Sequence, residues 1–176
     1  MDSFPSFEEF ETKYNAGKPQ LVWTSLVADL ETPVSAFIKL AETKPNSFLL
    51  ESVEGGAIRG RYSFIGMKPD IIWRCFGNKA EINRKARFDS HSFVEESVPT
   101  LESLNNLVEE SRIDLPDNLP PMAAGVVGYM AYDNIRLVEN IPANNPDSMN
   151  TPDGIFVRPT VMAVFDNIED MVTIIT

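Results

Sequence analysis

Between residues 47 and 83 the chain breaks into short β segments punctuated by turn residues, and this run constrains the fold more than any other feature of the sequence. Strand-like stretches at 47–53, 61–65, 70–76 and 79–82 are separated by Gly55-Gly56 and by Gly77-Asn78, where glycine lets the backbone reverse. The spacing predicts an antiparallel meander. Similar patterns at 20–26, 155–157, 161–165 and 171–175 add further strands, so the meander has others to pair with. The stretch 122–132, Met-Ala-Ala-Gly-Val-Val-Gly-Tyr-Met-Ala-Tyr, reads as a buried strand in which glycine admits a neighbouring element at close range.

Helices are few and short. Ser6-Phe7-Glu8-Glu9 is a capping box, after which Phe7, Phe10 and Tyr14 share a face and Gly17 ends the turn. Thr32-Pro33 supplies an N-cap and a first-turn proline ahead of Val34, Phe37, Ile38 and Ala41 at helical spacing. Leu101, Leu104, Leu107 and Val108 mark a third helix, and a short one covers 133–139. Residues 83–99, with Arg84-Lys85-Ala86-Arg87, and the proline- and asparagine-rich 142–154 read as loops. The expected fold is α+β, with antiparallel sheets in a layered β core and helices flanking it. No linker divides residues 1–176. The chain stops on the apolar strand 171–175 with no polar tail, which predicts a fragment of a longer protein.

Composition narrows the function. With 26 acidic against 15 basic residues, the net charge of −11 would repel nucleic acid and an anionic membrane surface. The single cysteine, Cys75, allows no internal disulfide and no thiolate metal cluster. The start lacks the basic flank of a secretory signal, and no stretch approaches the roughly 20 apolar residues of a membrane span. The expected setting is the cytoplasm. His91, the only histidine, lies in a polar loop segment, and no phosphate-binding, dinucleotide or zinc-protease motif is present.

Leu49-Leu50-Glu51-Ser52 and Gly60-Arg61-Tyr62-Ser63-Phe64-Ile65-Gly66 are two strand-like segments across a glycine turn. If they pair, some of Glu51, Ser52, Arg61 and Ser63 share a face. Two readings fit. Glu51 and Arg61 form a cross-strand ion pair, or the cluster is a small polar site on apolar walls, suited to an amino acid with an apolar side chain. Asp133 and Arg136 have helical spacing for a local ion pair, and with Tyr129 and Tyr132 they either pin a strand to the helix after it or contact a ligand or partner directly.

The two segments together closely resemble the paired signature near the start of anthranilate synthase component I, the large subunit. Thr32-Pro33-Val34, the stretch from Gly125 to Arg136 with Glu139, and the segment from Arg158-Pro159 to Phe165-Asp166 extend the resemblance along nearly the whole chain. The resemblance implies that residues 1–176 are an amino-terminal regulatory domain, incomplete without the carboxy-terminal half. The parent enzyme would convert chorismate and ammonia to anthranilate and pyruvate with Mg2+, in tryptophan biosynthesis. A glutamine amidotransferase subunit, component II, would supply the ammonia.

Catalytic and metal residues would lie in the missing half, with none in this chain, which would bind no Mg2+ and be inactive alone. The resemblance further implies that Ser52 contacts L-tryptophan, the feedback inhibitor, with Glu51 and Leu50 as neighbouring ligand-binding residues. Two other readings are the large subunit of aminodeoxychorismate synthase, of folate synthesis, and a free-standing amino-acid sensor.

Overall fold

The computed structural model describes residues 3–54, 58–120, 122–142 and 146–176, the side chains at 52–54 and 58–59 excepted. It bears out the α+β reading, but the chain divides into two compact units where the sequence shows no linker. The first comprises Met1–Pro69, Ile113–Ala124 and Pro159–Thr176, and the second Asp70–Arg112 and Gly125–Arg158. Each is built on one antiparallel five-stranded sheet.

In the first unit β1 (Trp23–Val27), β2 (Phe48–Glu54), β3 (Ile58–Met67), β9 (Val161–Asp166) and β10 (Met171–Ile175) are ordered β1-β10-β9-β3-β2. Two helices precede or interrupt these strands. Helix α1 (Phe7–Asn15) starts at the expected capping box, the Glu9 amide donating to Ser6 Oγ at 3.3 Å and the Ser6 amide to Glu9 Oε2 at 3.0 Å. Its apolar face forms, with Phe10 and Tyr14 stacked at 5.7 Å, yet buries nothing fully, and Phe7 remains 76% exposed. Helix α2 (Pro33–Leu40) is capped reciprocally by Thr32 and Ser35, at 3.1 and 2.9 Å.

One sheet face packs Ile65, Met67, Ala163 and Phe165 against Ala36 and Ala41 of α2 and its C-cap, with Leu49 beside them. The other packs Phe64, Met162, Val164 and Ile175 against Leu119 and Ala123. Sequestering such side chains contributes about 1.5–3 kcal/mol each. Alternation along β3 and β9 therefore serves two cores at once, which is why both strands read as apolar runs.

In the second unit β4 (Ile71–Phe76), β5 (Lys79–Asn83), β6 (Val94–Glu95), β7 (Val127–Met130) and β8 (Gly154–Arg158) are ordered β6-β5-β4-β8-β7. The single meander expected over 47–83 is thus corrected. β2 pairs with β3, and β4 with β5, but β3 and β4 belong to different sheets. The break falls at Lys68-Pro69, where Lys68 is left-handed (φ 54°) and proline offers no amide to continue a ladder. The return passage, Arg158-Pro159, is punctuated the same way.

Helix α3 (Thr100–Glu110) lays Leu107 among Ile71, Trp73, Cys75 and Ile82. Fully buried Trp73 donates its indole N–H to buried Ser103 at 2.9 Å. Residues 83–99 are less of a loop than expected, since they contain β6 and fold back through buried Asn83, which donates to the Asp89 carbonyl at 2.7 Å. Arg84 there is committed to Glu110, at 2.7 and 2.9 Å.

The buried strand expected at 122–132 reduces to β7, an edge strand with Tyr129 46% exposed. Its glycine has the expected reason: a Cβ on Gly128 would collide with the backbone of Ile155 and Phe156 on β8. The helix expected at 133–139 is a 3-10 turn, Tyr132–Leu137, in which Arg136 pairs with Asp133 at 2.9 Å and donates to the Ile141 and Pro142 carbonyls.

Candidate functional site

The hairpin β2–β3 carries the signature residues, and β2 is an edge of its sheet. Leu50 stands opposite Phe64 and Glu51 opposite Ser63, so the two neighbours point to opposite faces of the sheet. Leu50 is 39% exposed, Glu51 is exposed, and Ser63 is buried. The register then shifts: the next pair is Val53 with Arg59. Three residues of β3, Gly60-Arg61-Tyr62, therefore stand opposite the single residue Ser52. This is a bulge, a device that interrupts pairing and re-aims side chains beside binding sites. The side chain of Ser52 and the expected turn at Gly55-Gly56 lie outside the described residues.

The bulge decides the partner of Arg61. Instead of the cross-strand pair with Glu51 that the sequence admits, Arg61 donates from Nε at 3.0 Å and from Nη2 at 2.8 Å to one oxygen of Asp166, at the end of β9. The other oxygen of Asp166 accepts the amides of Ile168 and Glu169 at 3.0 and 3.3 Å, closing the turn into β10. Burial opposes the charge on Asp166, but the Arg61 guanidinium and the two amides outweigh it and hold the carboxyl below its ordinary value. The Arg61 guanidinium also lies 5.0 Å from the Tyr62 ring centre. Nothing in the local pattern of β2 and β3 identifies this partner, which is 105 residues away.

Asn167, which the sequence does not single out, joins the cluster. Its backbone amide donates to the Arg61 carbonyl at 2.8 Å and its side-chain amide to the Gly60 carbonyl at 2.9 Å, with Ser63 Oγ at 3.5 Å. Beyond Arg61 and Tyr62 opens a cleft of about 460 Å³, bounded also by Ser25, Asp117, Leu119 and Thr173.

His91 sits exposed with its backbone amide on Asp89, and Cys75, fully buried, has its thiol pushed up to about 11 by burial, with Asp153 adding to the effect. Among the described residues no group of three His, Cys, Asp or Glu side chains is placed to hold a metal ion. No helix of the described residues is long and apolar enough to cross a membrane.

The two-sheet α+β architecture is that of a solved anthranilate synthase component I from Streptococcus pneumoniae TIGR4. The TM-score is 0.53 at 20% identity, over 84% of this chain and 29% of that one. Curated relatives then place the sequence: it is 52% identical over 97% of its length to anthranilate synthase component 1 of Cereibacter sphaeroides, and 39% identical over 86% to that of Thermus thermophilus. The chain is a homologue of anthranilate synthase component 1 and corresponds to its amino-terminal region. It spans 34% and 30% of the lengths of those two relatives. No protein-family model matches the chain.

Proposed function

We propose that this chain is the tryptophan-binding, feedback-regulated part of an anthranilate synthase component I. Its full-length form converts chorismate, with ammonia drawn from glutamine by component II, to anthranilate and pyruvate in the cytoplasm. The parent uses Mg2+, held like the reacting groups outside these residues. Support for the enzyme comes from the identity to relatives of that name. Support for the regulatory site comes from one observation above all: the ladder of an edge strand is interrupted opposite Ser52, beside an exposed carboxylate and a half-exposed leucine.

In this reading Ser52 is the hydrogen-bonding anchor for the inhibitor. Glu51 offers a carboxylate to its ammonium, and Leu50 contributes apolar surface from the other face of the strand. The remainder of the parent completes the pocket, so bound tryptophan favours one arrangement of the parent over another. A coupling of about 1–3 kcal/mol is enough for substantial inhibition. Ser52→Phe in the full-length enzyme is expected to relieve tryptophan inhibition; inhibition curves that overlay those of wild type would sink the assignment.

A further inference from the structure

We propose that Asn167 is a positioning residue for this regulatory site, its side-chain amide holding the Gly60-Arg61-Tyr62 bulge opposite Ser52. The inference rests on the tryptophan-site reading above and adds a residue far from the signature.

Successive carbonyls of a regular strand point to opposite sides. The Arg61 carbonyl points toward β9, where the Asn167 backbone amide takes it at 2.8 Å, continuing the ladder in which Tyr62 faces Asp166. The Gly60 carbonyl should then turn toward β2. Instead it accepts from the Asn167 side chain at 2.9 Å, so two successive carbonyls face one residue. Gly60 is buried, and without that amide its carbonyl would lack this donor in a place water reaches poorly.

The alternative register is easily written. Extending the pairs Leu50 with Phe64 and Glu51 with Ser63 would bring Ser52 opposite Tyr62 and Val53 opposite Arg61, with no bulge. The hairpin instead takes the pairing in which Ser52 faces an opened ladder, and the Asn167 side chain holds it there. Its contact to Ser63 Oγ, at 3.5 Å, ties the same side chain to the residue opposite Glu51.

The test uses the full-length enzyme, with tryptophan inhibition and chorismate kinetics measured side by side. Asn167→Ala should raise the inhibition constant for tryptophan at least tenfold, while the KM for chorismate without tryptophan moves less than twofold. Asn167→Asp keeps the shape but offers the Gly60 carbonyl no donor, and should do the same if the alanine variant folds poorly. Unchanged inhibition in the folded variants, or equal changes in both constants, overturns the proposal. Ser52→Phe in the same assay separates the two claims. If it relieves inhibition while the Asn167 variants do not, the positioning role alone is wrong. If it too is without effect, the regulatory reading and the inference resting on it both fall.

Discussion

Replacing Ser103 with alanine should weaken the second unit by about 2 kcal/mol, through a group on the opposite partner. Trp73 is fully buried and donates its indole N–H to Ser103 Oγ at 2.9 Å, and Ser103 is itself 1% exposed. Deleting the oxygen leaves a buried donor that water cannot reach, a loss of about 1–3 kcal/mol, whereas deleting both partners would forfeit only the modest net worth of a bond. The longer contact of Ser103 with Glu96, 3.4 Å, adds little.

Only two tryptophans are present, so Trp23→Phe makes Trp73 the sole indole reporter. With a urea dependence of about 1.5 kcal/mol per molar, the midpoint should fall by about 1.3 M. In a Trp73→Phe background, followed by far-UV circular dichroism, Ser103→Ala should cost less than half as much. A single-variant midpoint within about 0.2 M of its parent, or an equal cost in both backgrounds, would refute the reasoning.

Thr32→Ala removes the oxygen that receives the Ser35 amide at 3.1 Å and should cost about 1 kcal/mol by urea unfolding, an unchanged midpoint counting against the cap. Asp166 has a carboxyl lowered from its ordinary value, so its contribution to stability is present above the unfolded pKa of about 4 and lost as pH falls through the folded one. Asp166→Asn should accordingly trail wild type most near neutrality and converge on it in acid; a gap independent of pH would contradict the linkage. Cys75, buried and with its thiol pushed up to about 11, should resist iodoacetamide at pH 8 until urea unfolds the second unit, and rapid labelling of the native protein would show an open thiol.

Much of the local structure was legible from sequence because its causes are local. Ser6 with Glu9 and Thr32 before Pro33 specify their helix starts within four residues, and the strands fall where apolar and β-branched residues alternate or run together. The close approach at Gly128 was likewise readable, since a missing side chain in a strand implies a neighbour. The burial of its strand was overestimated, because β7 lies at a sheet edge and an edge position is a property of the whole sheet. Helix α2 shows the same limit: Val34 and Ile38 repeat at core spacing yet stay exposed, for the periodicity marks a face without naming what covers it.

By itself, the sequence determined where most of the helices and strands fall, the family that the chain resembles, and the hairpin in which a binding site was to be sought. Those depend on residue type and near-neighbour spacing. Tertiary structure alone decided that the apparent meander splits between two sheets at Lys68-Pro69, that Arg61 turns to Asp166 rather than Glu51, and that Asn167 closes the bulge opposite Ser52. The physical reason is common to all three. A hydrogen-bonding group takes the partner that pairing brings within about 3 Å, and pairing is chosen by strands and cores assembled from residues far apart in the sequence, Arg61 and Asp166 being separated by 105 positions.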